Sequence, residues 1–436
     1  MGTTTPLYSL LLGAASMLRL DIPWTSFFVN LLADVGTLLV VYSVGRQLKL
    51  PFLGLLVGLF IAISSEYAYY TVSGMETALY ICIMLSAFWA SLKRRWKLTA
   101  VLCALLVLTR LDGLIFVAAL AAAIAIRRER IVWLPLTLFT LTLLPWVIFS
   151  VLYFGSPLPQ SMIAKGAWGL SLNRWASAEN FLAYFTNTAD VNTGSDKSLL
   201  FAGLATLGMG VIARERRFDA LRPYLLWGWL YSLAFIVANV FTFFPWYFIP
   251  LYPLYFMCVL IGFIRLFEAA KIAQVWRRIF RHWPSVHARW VPLALMFLLL
   301  MGIALSLPAR VASHSKALAG WTAGREGAYR LISEMIVQSS SATTTICAQE
   351  IGALGYFSDR TIVDAGGLVS PGAVGKTLLQ VMQERQPEWC VINVEFMPPL
   401  WNDSWFRQAY ELELNRKDRG EAIEVYRRLS RPQPGK

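Results

Sequence analysis

Long apolar runs separated by short basic segments are the feature that most constrains how this chain can fold. Of its 436 residues, 57% are hydrophobic and 15% are charged, against about 25% charged in a typical soluble domain. A soluble protein of this composition would have too little polar surface to face water, whereas runs of about 20 apolar residues can lie in a lipid bilayer. The composition therefore predicts a polytopic membrane protein.

The apolar runs predict about ten membrane-spanning helices. Thirty residues of helix measure about 45 Å, which is too long for one crossing of a hydrocarbon core about 30 Å thick. Residues 97–127 form one apolar stretch that is interrupted only near Arg110 and Gly113, so we expect a hairpin there. The predicted spans are 24–46, 50–65, 75–93, 97–110, 112–127, 131–153, 198–213, 222–241, 246–267 and 290–308.

The basic residues predict the orientation of the chain. The net charge is +13, and the positive-inside rule places short basic loops in the cytoplasm. If the loop between the first two spans is cytoplasmic, about nineteen Lys and Arg residues fall in inside loops. The outside loops between spans then hold only Arg110, Lys165, Arg174 and Lys197. We therefore expect a multi-pass plasma-membrane protein with both ends outside, and clusters confined to loops argue against nucleic acid as a partner.

The N-terminal segment fits this orientation only as an interfacial helix. Residues 3–20 are apolar but short, and an eleventh crossing would break the charge pattern, so we expect them to lie flat in the interface. An N-terminus that begins outside without a signal peptide is unusual. For this reason we also expect the natural protein to carry one more helix upstream of Met1.

The composition changes near Pro308, which predicts two domains, 1–308 in the membrane and 309–436 outside it. In the second, periodicity predicts helices at 321–338 and 371–385 and strands at 343–348, 389–394 and 422–427. The fold class is thus mainly α, with about ten spans, an interfacial helix and a C-terminal α/β extracytoplasmic domain. Cys347 and Cys390 of that domain can pair or remain two buried thiols.

The residues with potential chemistry lie at the outer ends of the predicted spans. Ionisable groups at membrane depth are costly and are therefore functional candidates. Arginine and lysine can hold phosphate oxygens, carboxylates can act as general bases, and Trp and Tyr can stack on sugar rings. The candidates are Glu76 and Asp112 as catalytic carboxylates, and Arg110, Lys165, Trp246 and Tyr247 as substrate-binding residues; Glu66 lies at the same face.

Each candidate also has a structural interpretation. Arg110 and Asp112 can neutralise each other at a turn, and Glu76 can cap the helix that follows it. Lys165 can be an ordinary surface lysine, and Trp246 and Tyr247 can belong to an interfacial aromatic belt. No HExxH, CxxC, P-loop or GxGxxG motif occurs, so metalloprotease, ATPase and dehydrogenase classes are disfavoured, and we expect no metal or cofactor.

Several motifs resemble the polytopic C-type glycosyltransferases (GT-C), which use polyprenyl-phosphate sugars. Within that group, the sequence is most similar to the bacterial branch that holds the mycobacterial terminal arabinofuranosyltransferases. The motifs are TTPLY at residues 4–8, SGMET at 73–77, LTRLDG at 108–113, YFGSPLP at 153–159 with AK at 164–165, and EIGALGYFSDR at 350–360 with VDAGGL at 363–368.

The resemblance implies a membrane glycosyltransferase, a hexosyl- or pentosyltransferase of the cell envelope. Such an enzyme moves a sugar from a polyprenyl-phosphate donor to a glycan or lipid acceptor on the outer face, normally with inversion at the sugar carbon. In the family, a carboxylate of the first outside loop is the base, and that loop precedes the stretch matching Thr4–Tyr8. We therefore expect this chain to be inactive unless Glu76 or Asp112 substitutes for it. The alternatives are a transporter or flippase of lipid-linked sugars, and a non-catalytic envelope-assembly protein.

Overall fold

The computed structural model describes residues 4–127, 133–162, 164, 175–187, 195–240, 244–269, 324–394, 400–418 and 421–429, together with 301, 305, 308, 312, 315, 316 and 319. The chain divides into two compact units. The helical unit comprises Thr4–Gly155 and Gly169–Val311, and the α/β unit comprises the C-terminal part from Ala312 with a short segment that begins at Ser156. The predicted boundary between 308 and 309 remains a prediction.

The helical unit contains twelve described α-helices. Proline in the first turn opens four of them, where its missing N–H costs nothing. Asp21 also caps the second helix by accepting from the Trp24 N–H. The helices are α1 Pro6–Met17, α2 Ile22–Gln47, α3 Pro51–Ile63, α4 Ser65–Thr71, α5 Thr77–Leu92, α6 Trp96–Thr109, α7 Gly113–Ile126, α8 Trp133–Phe154, α9 Ala176–Asn187, α10 Ser195–Arg214, α11 Arg222–Val237 and α12 Tyr252–Ala269.

The predicted spans agree with these helices. Each predicted span from 24–46 to 246–267 coincides over most of its length with one α-helix. The expected hairpin is confirmed, since α6 ends at Thr109 and α7 begins at Gly113. By length and composition, the segments Ile22–Gln47, Trp133–Phe154, Arg216–Val237 and Ile249–Leu266 can each cross a membrane, and six further apolar helices are shorter. The tenth predicted span, 290–308, lies outside the described residues except at 301, 305 and 308. Residues 6–17 are helical as predicted.

Close packing of α10 against α12 depends on glycine. A Cβ atom at Gly208 would lie 1.9 Å from the Cys258 carbonyl oxygen, and one at Gly262 would lie 1.9 Å from the Leu204 carbonyl oxygen. The two backbones therefore touch at this crossing, as they do where small residues line helix interfaces in membranes. In the rest of the unit, α2 packs against α3 and α5, and α7 packs against α11.

The α/β unit is a five-stranded sheet with helices on both faces. Its strands are β1 Thr345–Ala348, β2 Thr361–Asp364, β3 Trp389–Asn393, β4 Tyr410–Asp418 and β5 Glu421–Arg428, in the order β2-β1-β3-β5-β4. β1 is parallel to β2 and to β3, while β5 is antiparallel to β3 and to β4. Its helices are α13 Arg325–Ser339, α14 Gly352–Ser358, α15 Leu378–Arg385 and α16 Ser404–Ala409.

Side chains alternate between the two faces of β3. Trp389 and Val391 pack with residues of α13 and α14, whereas Cys390 and Ile392 pack with residues of α15 and α16. The predicted strands at 343–348, 389–394 and 422–427 are confirmed within two residues. Sequence patterns missed β2, β4, α14 and α16. The helix predicted over 371–385 is wrong in its first half, because Thr377 and Gln380 form a capping box that starts α15 at Leu378.

The cysteines of the α/β unit are free thiols. Cys347 and Cys390 are fully buried neighbours in the register of β1 and β3. Of the two alternatives that the sequence allows, the structure has the unpaired thiols.

Candidate functional site

The short turn between α6 and α7 brings Arg110 and Asp112 together. Arg110 is the C-cap residue that follows α6, and its backbone is extended, with φ −155° and ψ 135°. Gly113 starts α7 so close to α6 that a Cβ atom there would lie 2.9 Å from the Leu106 side chain. The two helices therefore lie close together at the turn, and Arg110 and Asp112 both belong to the three residues that connect them.

The Arg110 guanidinium binds two carboxylates. Its Nε and Nη2 donate to the Oδ1 and Oδ2 atoms of Asp112 at 3.1 and 2.7 Å, and its Nη1 donates to Oε1 of Glu76 at 3.4 Å. The side chains of Arg110, Asp112 and Glu76 are 5%, 11% and 15% exposed. Charged groups buried to this degree are held in place by their mutual attraction.

Tyrosine rings enclose the same guanidinium. The Arg110 Cζ atom lies 5.1 Å from the centre of the Tyr80 ring and 4.5 Å from the centre of the Tyr247 ring, within the range of cation–π attraction. The Tyr231 hydroxyl donates to the Tyr247 carbonyl oxygen at 3.1 Å. We call Glu76, Tyr80, Arg110, Asp112 and Tyr247 the arginine cluster.

The arginine cluster retains capacity for a ligand. A guanidinium has five N–H donors, and three of those of Arg110 bind the carboxylates. Within the described parts of the chain, the two remaining N–H groups, one on Nη1 and one on Nη2, have no acceptor. Charge-assisted bonds from such groups to phosphate or carboxylate oxygens are among the stronger polar contacts in proteins.

The structure tests the geometry of the predicted site but not its roles. Glu76 occupies the N-cap position of α5, yet its side chain makes no capping hydrogen bond and turns to Arg110 instead. Trp246 is half-buried, and its ring centre lies 6.1 Å from that of Tyr247. Lys165 lies outside the described residues. Tyr80 was not among the predicted site residues, although it follows Glu76 by four residues and so shares its helix face.

A second polar group surrounds Glu66. The Tyr252 hydroxyl donates to Oε2 of Glu66 at 2.5 Å and lies 3.0 Å from the Tyr184 hydroxyl. The Tyr184 ring stacks on Phe248 with 3.8 Å between ring centres. Phe248 directly follows Tyr247, so one short segment before α12 contributes aromatic rings to both groups. The sequence places Glu66 at this face but gives no sign of its tyrosine partners.

A third group of hydrogen bonds joins two of the sequence motifs, TTPLY at residues 4–8 and SGMET at residues 73–77. The Tyr8 hydroxyl lies 2.7 Å from Oγ of Ser26, and the buried Asn30 side chain donates to the Met75 carbonyl oxygen at 2.9 Å and to the Tyr8 hydroxyl at 3.3 Å. This chain of bonds links α1 and α2 to the turn before α5, and therefore to the residue preceding Glu76. Among the residues described, no group of three or more His, Cys, Asp or Glu side chains is arranged to hold a metal ion.

Comparison with known proteins gives one family match, in the α/β unit. Residues 319–426 match the family "Domain of unknown function (DUF8728)", which covers well under half of the chain. No curated protein matches the sequence.

Solved structures resemble the chain over nearly its whole length. ArnT from Cupriavidus metallidurans bound to undecaprenyl phosphate aligns with a TM-score of 0.57 at 14% identity, covering 97% of this chain and 87% of ArnT. Its apo state aligns with a TM-score of 0.58 at the same identity and coverage. The Archaeoglobus fulgidus oligosaccharyltransferase tethered to an acceptor peptide aligns with a TM-score of 0.52 at 13% identity, covering 96% of this chain and 65% of that chain.

These alignments establish the fold class. The chain has the fold of the GT-C membrane enzymes, mainly α with a small C-terminal sheet. Together with its long apolar helices, this fold makes it a multi-pass membrane protein.

Proposed function

We propose that this protein is a membrane glycosyltransferase that moves a sugar from a polyprenyl-phosphate donor to an envelope glycan or lipid acceptor. The observation that carries the proposal is the arginine cluster in a GT-C fold: a buried cation with two carboxylates and two N–H donors that have no acceptor among the described residues. The ArnT structure with undecaprenyl phosphate supports a lipid-linked donor for the same fold. Residues 1–308 are the proposed catalytic domain.

The two carboxylates of the cluster are suited to different tasks. Asp112 makes two hydrogen bonds to Arg110 and holds its guanidinium plane in place. Glu76 makes one bond of 3.4 Å, which is long for a charged pair. We propose that an oxygen of the donor phosphate takes over the Nη1 group, which releases Glu76 for proton transfer.

The reaction then proceeds by displacement at the sugar carbon. Glu76 accepts the proton of the acceptor hydroxyl, whose oxygen forms a bond to the sugar carbon as the bond from that carbon to the phosphate oxygen breaks. The polyprenyl phosphate leaves with the electron pair, and Arg110 stabilises its charge. Trp246 and Tyr247 are the proposed surfaces for the sugar ring, and Lys165 is a proposed second phosphate ligand. The proposed mechanism uses no metal or cofactor.

The distribution of basic residues supports action on the outer face of the plasma membrane. In the orientation that places most Lys and Arg in the cytoplasm, Glu76, Arg110 and Asp112 lie at the outer ends of their helices. The α/β unit is then extracytoplasmic. An engineered cysteine at the exposed Ser341 should react with a membrane-impermeant maleimide in intact cells, and protection until lysis would reverse the orientation.

Sugar transfer can be measured in membranes that contain the full chain. We expect radiolabelled sugar from at least one of decaprenyl-phosphate arabinose, mannose and glucose to enter a glycan or lipid fraction. Glu76→Gln should lower the rate by at least about 100-fold, the lower range for a general base. Glu268→Gln is the matched control, because its carboxylate is 41% exposed in a surface ion pair.

Two results would overturn the proposal. One is the absence of transfer from all three donors, and the other is equal transfer by Glu76→Gln and wild type. Movement of the intact lipid-linked sugar across vesicles without transfer would identify a flippase instead. That alternative is disfavoured because a transporter places its polar groups near the bilayer midplane, whereas the proposed orientation collects them at one face.

A further inference from the structure

A small cavity lies at the ends of α5, α6, α7 and α11 that face away from the arginine cluster. Glu76 precedes the start of α5 and Arg110 follows the end of α6, whereas the cavity lies where α5 ends and α6 begins. These two helices have 16 and 14 residues, so each is about 21–24 Å long. The cavity is therefore on the opposite side of the helical unit from the arginine cluster, and the proposed mechanism does not use it.

The cavity is partly apolar and partly basic. Its volume is about 110 Å³, and because a cavity of about 150 Å³ holds a molecule the size of benzene, this one can hold a small group but not a whole lipid. No acidic residue is among the described residues that line it. Its apolar side includes Phe88, Trp96, Leu120 and Ile124, and its basic side includes Arg94 and Arg127. We call this space the inner cavity.

Arg127 is tied to the wall of the inner cavity through a backbone oxygen. Its Nη2 donates to the Asp219 carbonyl oxygen at 2.8 Å, and Ala220, the next residue, lines the cavity. The carboxylate of Asp219 pairs instead with Arg222, with 2.9 Å between Oδ1 and Nη2. Among the described residues, Arg127 therefore keeps its positive charge without a carboxylate partner.

The turn between α5 and α6 supplies the second cation. Residues 93–97 include four Lys or Arg and no carboxylate. Lys93 and Arg95 lie over the Trp89 ring, at 4.5 and 5.6 Å from its centre. Arg94, between them in the chain, lines the inner cavity instead. Basic pockets between membrane helices on the cytoplasmic side attract the headgroups of anionic lipids.

We propose that the inner cavity binds the phosphate group of an anionic phospholipid. Arg94 and Arg127 donate charge-assisted hydrogen bonds to the phosphate oxygens, and Trp96, a residue type enriched at the level of lipid headgroups, packs against the glycerol. A free phosphate ion would use only the basic side of the cavity, so the apolar side favours the lipid. In the orientation proposed above, the cavity lies at the inner leaflet, which carries the anionic lipids. The inference does not depend on sugar transfer.

Native mass spectrometry of the full-length protein in detergent measures the affinity for each probe. The probes are phosphatidylglycerol, phosphatidylcholine and inorganic phosphate. We expect phosphatidylglycerol to bind most tightly, and the double variant Arg94→Gln/Arg127→Gln to bind it at least about tenfold more weakly. Arg214→Gln/Arg216→Gln is the matched control, because it removes two exposed charges at the same end of the helices and neither residue lines the cavity. It should bind as wild type does.

The melting temperature of each variant without added lipid separates binding from folding. If Arg127 only ties α7 to the segment 216–221, Arg127→Gln will lower the melting temperature and leave the affinity of the folded protein for phosphatidylglycerol unchanged, and this result overturns the proposal. Equal binding of phosphatidylcholine, equal or tighter binding of inorganic phosphate, or an equal loss in the control variant also overturns it. Because no sugar transfer is measured, each of these results contradicts only this inference and leaves the proposed function standing.

Discussion

The guanidinium of Arg110 binds the carboxylate of Asp112 through two hydrogen bonds of 3.1 and 2.7 Å, although only one residue separates them in the chain. The pair closes the turn between α6 and α7 and leaves the third edge of the guanidinium, at Nη1, pointing to Glu76. The turn therefore does more than reverse the chain. It orients a buried cation whose removal would leave two carboxylates without a counter-charge among the residues that the structure describes.

Replacement of Arg110 by glutamine should strongly destabilise the protein. Removing one partner of a buried ion pair costs about 3–5 kcal/mol, because the remaining charge stays buried and unpaired. Arg217→Gln is the control, since its side chain is 46% exposed beside Glu215 and Glu268 and such pairs contribute at most about 1 kcal/mol. Thermal unfolding in detergent measures both, and equal shifts would contradict the importance of burial.

Asp112→Asn should lower stability more than Glu76→Gln. The first change weakens two hydrogen bonds at 3.1 and 2.7 Å, and the second weakens one at 3.4 Å. Hydrogen bonds to charged groups contribute about 1.5–3 kcal/mol each, so we expect a difference of at least about 1 kcal/mol. The same unfolding measurement orders the two variants. A larger loss for Glu76→Gln would reverse the proposed division between a positioning and a proton-accepting carboxylate.

Alanine at Gly208 should prevent normal packing of α10 on α12. Its Cβ atom would lie 1.9 Å from the Cys258 carbonyl oxygen. The helices must therefore separate, which should lower the free energy of unfolding by about 1–3 kcal/mol. Gly203 and Gly210 are matched controls on the same helix, because nothing lies within 4 Å of a Cβ at either position. Size-exclusion profiles should show less folded protein for Gly208→Ala alone. Normal yield of that variant would show that the helices do not touch there.

The protection of the loop after β2 against hydrogen exchange should depend on pH, because Asp364 titrates there. Burial raises the pKa of this carboxyl above its ordinary value of 3.8, so the folded state holds the proton more tightly than the unfolded state. The resulting stabilisation is complete below pH 3.8 and is lost as pH rises through the folded pKa. Hydrogen-exchange protection factors of peptides covering 361–370 should therefore fall over that interval in the wild type.

The control for this pH dependence is a comparison of two variants. Asp364→Asn removes the titrating group and should remove the difference between low and neutral pH. Asp359→Asn should keep it, because Asp359 is exposed and asparagine tolerates its left-handed backbone, with φ 48°. If the wild type and Asp364→Asn showed the same pH dependence of protection, Asp364 would not control the loop.

Several parts of the molecule were predictable because their signals are local. The turn at Arg110–Gly113 was predicted because charged residues and a glycine interrupt an apolar stretch that is too long for one membrane crossing. The strands β1, β3 and β5 were predicted from the residue pattern of short segments. β2 and β4 were missed because TIVD is too short for a pattern and YELELNRKD is an exposed edge strand rich in charge. The start of α15 depends on a capping box, in which the side chains of Thr377 and Gln380 each accept from the backbone N–H of the other residue, and this overrides a continuous helical pattern.

The sequence by itself determined the membrane-spanning helices, the basic loops and the face at which Glu76, Arg110 and Asp112 were expected, because hydrophobicity and charge act through solvent on each segment separately. Only the tertiary structure decided which of these residues meet. Tyr247 reaches the Arg110 guanidinium from a distant segment, and Glu66 accepts from Tyr252, 186 residues away. Such contacts depend on how helices pack, and packing is set by the complementary shapes of many side chains together. The same reason places Asn393 beside Glu350 only once the order of the strands is known.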